Sequence, residues 1–169
     1  MKPGETYQWT ATDKGLYALS MFPFAVLILG AAYLLFKASI LLAAGLATLY
    51  VLVNVFQAGC CVGCPYRGRY CPALGGVYLG NFLSGVLYKN REFDQAFFNR
   101  NAKRAEILVL VLIFFPLYWV YAAGWYLVPV YFALLALHVF LFMPTQCEKC
   151  GYNTTCPGGR AWRRCRGLS

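Results

Sequence analysis

Charged residues are scarce in this sequence. Only 12% of the 169 residues are charged, whereas 60% are hydrophobic and 18% are aromatic. A soluble domain normally carries about 25% charged residues. The charges gather in short basic segments between four uncharged stretches, and a membrane-spanning helix needs roughly 20 apolar residues. The sequence therefore predicts an integral membrane protein, in contact with the lipid bilayer, that has little mass outside it.

Histidine is almost absent, and acidic residues are few. His138 is the only histidine, and it lies inside the last uncharged stretch. A haem held inside a helical bundle usually needs two facing histidines, so we interpret His138 as a packed or hydrogen-bonded core residue. Glu106 only begins the third stretch, and the sequence contains no nucleophile–base pair and no group of intramembrane carboxylates. Proton or ion transport is therefore poorly supported, and we do not expect the chain to be catalytic alone.

The uncharged stretches predict an all-α fold of four transmembrane helices, arranged as two helical hairpins. Residues 1–74 hold the first hairpin, with spans 16–36 and 38–59 around a turn at Lys37, and residues 105–169 hold the second, with spans 107–124 and 125–143 around a turn at Gly124. Residues 75–104 lie between the two hairpins. Their apolar residues recur at helical spacing before a basic segment, which predicts an interfacial helix and a connection on the membrane surface.

All eight cysteines lie outside the predicted spans, and six of them recur in register. Each copy reads Cys-x-x-Cys, then Pro or Gly, then Tyr, and later Cys-Pro. The first knuckle (residues 60–72) contains Cys61, Cys64 and Cys71, and the second (residues 147–165) contains Cys147, Cys150 and Cys156. The offset is 86 residues for the first two pairs and 85 for the third. Two-span units in the same orientation form a parallel repeat about the membrane normal, which predicts that the knuckles lie side by side.

Basic residues predict which side of the membrane carries the knuckles. Of the fifteen lysines and arginines, fourteen fall in the N-terminal segment, the middle connection, the knuckles or the tail, and only Lys37 lies on the other side. The positive-inside rule then places both termini and both knuckles in the cytoplasm. Cytoplasmic thiols are kept reduced, so repeated Cys-x-x-Cys motifs there indicate metal binding rather than disulfides.

The motifs point to two different metals. Cys147-Glu-Lys-Cys150-Gly resembles the knuckle of zinc-ribbon proteins, which implies zinc. The Cys-Pro pairs resemble iron–sulfur ferredoxin motifs, and Cys60-x-x-x-Cys64-Pro resembles an element of membrane-bound polyferredoxin-type proteins. The complete ferredoxin run is absent. The expected cofactor is therefore either zinc or an iron–sulfur cluster.

Several groupings of the cysteines remain open. The six repeated cysteines are the expected metal ligands, with Cys60 and Cys165 as additional candidates. The last four cysteines can close one site alone, the first knuckle can use Cys60 as its fourth ligand, or the two knuckles can share ligands. S-acylation of Cys60 and Cys61 and knuckles that only fold short loops are the alternatives to a functional metal site.

Two functions are compatible with these features. In the first, the protein is a small membrane subunit whose metal-binding knuckles anchor or dock a larger complex of membrane or cytoplasmic proteins. In the second, it is an iron–sulfur electron-transfer subunit, and aromatic residues such as Tyr118, Trp119 and Tyr126 line a quinone pocket instead of forming the usual interfacial belt. The tail around Trp162 combines arginine with tryptophan. Because the membrane is adjacent, we expect it to bind lipid headgroups and not nucleic acid.

Overall fold

Helices make up most of the residues that the structure describes. The computed structural model describes residues 8–64, 66–67, 79–147, 150, 154 and 157–167, without the side chains of residues 157 and 158. Every regular element in these residues is a helix. In chain order they are α1 (Ala11–Ala38), α2 (Ile40–Cys60), α3 (Gly80–Leu87), α4 (Gln95–Phe114), α5 (Leu117–Ala123), α6 (Leu127–Gln146) and α7 (Pro157–Cys165).

Four stretches within the described residues are long and apolar enough to cross a membrane. They are Ala11–Ala38, Ile40–Cys60, Gln95–Ala123 and Leu127–Gln146. The predicted all-α class with four candidate membrane spans is therefore confirmed. Large apolar side chains such as Phe22, Leu41 and Phe140 are exposed on these helices. An outer surface of this kind is stable against lipid and not against water, so the helices indicate a membrane protein.

The first hairpin turns at Ser39 and not at Lys37. Ser39 has extended backbone geometry, its N–H donates to the carbonyl of Leu35 at 2.8 Å, and its hydroxyl accepts from the N–H of Leu41 at 3.2 Å. One serine thus ends α1 and begins α2, because a serine side chain can satisfy an open helix N-terminus and lysine cannot. Lys37 stays within α1, and its amine lies 5.1 Å from the centre of the Tyr33 ring.

The helix that contains the predicted third span begins before residue 107 and is interrupted once. The Asp94 carboxylate accepts from the N–H groups of Ala96 and Phe97 at 3.0 and 3.1 Å, which starts α4 at Gln95. Most of the predicted surface connection therefore forms the first turns of the same helix. Pro116 separates α4 from α5, because proline lacks the N–H that would continue the helix. Gly124 then ends α5, so the turn lies where the sequence places it.

The packing of the helices centres on α1 and α2. The two largest interfaces are those of α2 with α4 and of α1 with α6, and α1 also contacts α2 and α5. Leu35, Val53 and Leu112 are completely or almost completely buried in one apolar cluster, contributed by α1, α2 and α4. Leu27 and Val120 belong to a second cluster, contributed by α1, α5 and α6.

His138 is a core residue. Its Nδ1 lies 2.8 Å from the carbonyl oxygen of Ser20, and its ring centre lies 5.0 and 5.4 Å from those of Phe24 and Phe142. The contact joins α6 to α1 near the end that carries the cysteines. The interpretation of His138 as a packed and hydrogen-bonded residue is confirmed.

Candidate metal centre

Each of the two Cys-x-x-Cys motifs contains an equivalent backbone hydrogen bond between its two cysteines. The N–H of Cys64 lies 3.1 Å from the carbonyl oxygen of Cys61, and the N–H of Cys150 lies 3.4 Å from that of Cys147. In each case the second cysteine donates to the first, as the ends of a β-turn do. Both motifs also follow directly on a long helix, since α2 ends at Cys60 and α6 ends at Gln146. The turns therefore have corresponding positions on their helices.

Tyr66 joins the two knuckles. Its side chain is buried, and it packs against Cys64 from the first knuckle, Cys150 from the second, and Trp9 from the segment before α1. The ring centres of Trp9 and Tyr66 are 6.4 Å apart. Three segments that are distant in sequence therefore meet at one end of the bundle. Apolar packing around one ring therefore contributes to holding these segments together.

Arg67 fastens the first knuckle to α3. Its guanidinium donates to the carbonyl oxygens of Val62 and Arg91 at 3.3 Å each, to that of Ser84 at 3.0 Å, and to that of Tyr88. An arginine near a helix C-terminus can donate to its carbonyl oxygens and also interacts favourably with the helix dipole. The carbonyls of Ser84 and Tyr88 accept backbone N–H groups as well. No local sequence pattern indicates this role of Arg67, because its acceptors lie up to 24 residues away.

The orientation of α3 is the reverse of that of a helix in a soluble protein. Ser84 is 0% exposed and Asn81 is buried, whereas Phe82 is 68% exposed and Val86 is exposed as well. The Asn81 amide donates to the carbonyl oxygen of Tyr66 at 2.5 Å. Gly80 allows the close approach to α2, since an added Cβ would lie 3.1 Å from the Cβ of Gln57. The small and polar residues therefore hold α3 to the protein, and its apolar side faces outward.

The end of α2 is packed closely against α4. A Cβ added at Gly59 would lie 2.5 Å from the Cγ of Asn101. The Asn101 amide donates to the carbonyl oxygen of Phe97 at 2.8 Å, which holds the side chain in this position. The Cys60 sulfur lies 4.0 Å from the carbonyl oxygen of Phe98. This packing fixes the point from which the first knuckle leaves the bundle.

The cysteines differ in burial and in place. Five of those described are partly buried, and Cys165 is exposed at the end of α7. All six described cysteines are thiols. Burial raises the pKa of the Cys64 thiol, and a backbone hydrogen bond involving Tyr66 offsets part of this rise. A neutral thiol is therefore the favoured form of Cys64 when it packs against Tyr66, and a bound metal would have to displace its proton.

The expected ligand set is only partly visible. Cys71 and Cys156 lie outside the described residues. Among the residues that are described, no group of three or more His, Cys, Asp or Glu side chains is placed to hold a metal ion. Cys64 and Cys150 are the pair drawn together from different knuckles, through their shared contact with Tyr66. Thiols at the ends of two Cys-x-x-Cys turns are a suitable donor set for zinc or for an iron–sulfur cluster.

The aromatic residues considered for a quinone pocket lie at the other end of the bundle. Tyr118, Tyr121, Trp125 and Tyr126 are exposed around the Gly124 turn. The 20 residues of α6 separate this turn from Cys147, a distance of about 30 Å at 1.5 Å per residue. Exposed tyrosine and tryptophan side chains grouped at one end of a span are typical of an interfacial belt. These residues are therefore not neighbours of the knuckles.

Gln146, which directly precedes Cys147 in the sequence, is a buried polar residue. It is 0% exposed, and neither its Nε2 nor its Oε1 has a hydrogen-bond partner in the described structure. Such a group is costly unless something pairs with it.

Comparison of the chain with protein-family models, with curated protein sequences and with solved structures finds no match.

Proposed function

We propose that this protein is a small integral membrane subunit whose two cysteine knuckles bind metal and serve as an anchor or docking element of a larger membrane complex. The observation that carries the proposal is the packing of Cys64 and Cys150 against Tyr66. A ring contacted by thiols from both knuckles favours a centre in which the two motifs act together. The four candidate membrane spans contain most of the described residues, so most of the described part of the chain is occupied by membrane helices and not by a domain suited to substrate chemistry.

A duplicated architecture fits the proposal. A two-fold rotation along the membrane normal would exchange α1 with α4 and α2 with α6. It would therefore exchange the α2–α4 interface with the α1–α6 interface, which are the two largest in the protein. The same rotation would exchange the two Cys-x-x-Cys turns, in each of which the N–H of the second cysteine donates to the carbonyl of the first. Both relationships support, independently of the cysteine spacing, two hairpins in parallel orientation.

The distribution of basic residues supports a cytoplasmic position for the knuckles. Lys14 lies near the start of α1, and Arg100 and Arg160 lie near the starts of α4 and α7, all close to the cysteine end. Among the lysines and arginines in the described ranges, Lys37 is the one beside the Ser39 turn at the opposite end. Positive charge accumulates on the cytoplasmic side of membrane proteins. Reduced thiols on that side are available to a metal.

The anchor function is favoured over a quinone-linked one by geometry. The exposed aromatic residues at the Gly124 turn lie about 30 Å from the knuckles along α6, so they do not line a site next to a cluster. An iron–sulfur cluster remains the alternative cofactor. In that case the protein would pass electrons at the knuckle side of the membrane and would need a partner there.

Metal analysis of the intact protein tests the proposal. The full chain is purified in mild detergent without oxygen, and its zinc, iron and acid-labile sulfide are measured beside its visible spectrum. Zinc without absorbance near 400 nm supports the anchor function, and iron with acid-labile sulfide supports electron transfer. Cys64→Ser and Cys150→Ser should each lower the bound metal, whereas Thr48→Ala on the exposed surface of α2 should leave it unchanged. A metal-free protein with ordered knuckles would overturn the proposal.

A further inference from the structure

α7 has one side against the protein and one side facing outward. Gly159 is buried and Trp162 is half-buried with its indole nitrogen covered, and α7 contacts α6. Arg160 and Arg164 are exposed and lie one turn apart, so they project from the same side of the helix. Trp162 lies on the opposite side. The side with Gly159 and Trp162 is thus turned toward the protein, and Arg160 and Arg164 face outward.

The segment around α7 carries a concentrated positive charge. Four arginines occur between residues 160 and 166, and no acidic residue follows Glu148 in the sequence. Like charges one turn apart destabilise a helix, so the pair formed by Arg160 and Arg164 favours a conformation in which an anion lies between them. The planar guanidinium group matches the oxygen geometry of a phosphate group, which it can bind with two parallel hydrogen bonds.

The position of α7 determines which phosphate it meets. α7 contacts α6, a candidate membrane span that ends at Gln146. At this end of the bundle α3 also exposes an apolar side, with Leu79, Phe82 and Val86 outward. α3 thus offers an apolar side suited to the acyl region, and α7 offers arginines suited to the headgroups. Binding at a membrane interface combines these two features.

We propose that the outward arginines of α7, Arg160 and Arg164, bind the phosphate groups of anionic phospholipids. This inference does not depend on metal at the knuckles. A nucleic acid would also offer phosphate, but the contact with a membrane span places the lipid headgroups next to these side chains at all times. Binding to lipid would hold α7 on the membrane surface and thereby fix the direction in which the second knuckle faces.

Site-specific proteolysis of the full-length protein tests this site. The protein is placed in nanodiscs of phosphatidylcholine alone or of phosphatidylcholine with phosphatidylglycerol, and trypsin cleavage after each basic residue is followed by mass spectrometry. Cleavage after Arg163 should be at least about fivefold slower with the anionic lipid, since one basic residue at an anionic surface contributes about fivefold in affinity. Cleavage after Lys89, exposed in the non-helical segment between α3 and α4, serves as the internal reference for general charge attraction and should slow less than cleavage after Arg163.

A double substitution separates a site from general attraction. Arg160→Gln with Arg164→Gln should weaken the association of the tail with anionic lipid by about 25-fold, so that cleavage after Arg163 no longer differs between the two lipids. Arg100→Gln with Lys103→Gln removes the same charge from the exposed surface of α4 and should leave the difference in place. High salt should abolish the protection.

Three results would overturn the proposal. The first is equal cleavage after Arg163 in both lipids. The second is an equal loss of protection in the α4 control, which would indicate diffuse charge and not a site on α7. The third is protection by a single-stranded RNA oligonucleotide in phosphatidylcholine nanodiscs that matches or exceeds the protection by phosphatidylglycerol, because the tail would then be a nucleic-acid site.

Discussion

Cys64 and Cys150, which are 86 positions apart in the sequence, lie against the same buried ring, that of Tyr66. The contact joins the loop after α2 to the loop after α6, two helices that do not share one of the larger interfaces of the bundle. A ring of this size brings the thiols of two separate Cys-x-x-Cys turns into one small region without a covalent link. The described parts of the two knuckles therefore lie beside each other at this ring.

The first prediction concerns this pair of thiols. In a variant that keeps only Cys64 and Cys150, a short bifunctional thiol reagent should cross-link the two within one molecule, because both side chains touch Tyr66. Peptide mass spectrometry identifies the linked pair. A second variant that keeps Cys64 and Cys165 is the control, since Cys165 is exposed on α7. Equal cross-linking in the two variants would contradict the arrangement around Tyr66.

The second prediction concerns Arg67, whose guanidinium donates to carbonyl oxygens of α3 and of the segment after it. Arg67→Met keeps much of the side-chain volume but removes the charged donor from these carbonyls. A hydrogen bond to a charged group contributes about 1.5–3 kcal/mol, so amide hydrogen exchange in α3 should become at least about tenfold faster. Exchange in α6 should not change.

The control for Arg67 separates charge from geometry. Arg67→Lys retains the positive charge but offers one compact donor group in place of the planar fork. It should restore only part of the protection of α3. Full protection in Arg67→Lys would mean that attraction to the helix C-terminus, and not the set of individual hydrogen bonds, holds α3 in place.

The spans could be predicted from the sequence, and two of their ends could not. Each span is a long apolar run, and such runs allow few structures other than a membrane helix. The turn was expected at Lys37 because charge is costly in a membrane, yet a lysine near a helix end can extend its amine to the interface, and Ser39 makes the turn. α4 starts before the apolar run because lysine, arginine and glutamate are good helix formers outside the membrane as well.

The arrangement at the knuckle end depended on contacts that no local pattern contains. The cysteine spacing predicted two equivalent turns, and each turn contains the same kind of backbone hydrogen bond, from its second cysteine to its first. The periodicity of α3 predicted an interfacial helix, whose apolar side faces lipid, but not that its small and polar side packs against α2. Arg67 was missed since each of its distant acceptors is a backbone carbonyl. A backbone acceptor has no residue type by which the sequence would reveal it.

The third prediction concerns the close approach of α2 and α4. Gly59→Ala should destabilise the protein by about 1–3 kcal/mol, because the added Cβ would lie 2.5 Å from the Cγ of Asn101. The matched control is Gly30→Ala in α1, where no atom lies within 4 Å of the added Cβ. That substitution should be neutral or stabilising, since alanine favours a helix more than glycine does. Thermal unfolding in detergent measures both.

A second substitution should relieve the Gly59→Ala clash. Asn101→Ala removes the side chain that an alanine at position 59 would strike, at the loss of its bond to Phe97. The double variant should therefore be more stable than the sum of the two single effects implies, as expected for residues in direct contact. Additive effects would show that the two helices separate without strain, and that Gly59 is not required for their packing.

The last prediction concerns Gln146, which is completely buried beside Cys147 with both of its amide atoms unpaired in the described structure. An unsatisfied buried amide costs about 1–3 kcal/mol. Gln146→Leu has a similar volume and removes this cost, so the midpoint of thermal unfolding should rise. Gln95→Leu is the matched control: Gln95 is exposed and donates to Asn99 at 3.0 Å, so no gain is expected there. A lower midpoint for Gln146→Leu would show that the amide has a partner in solution, and a raised midpoint with unchanged metal content would show that the knuckles do not use it.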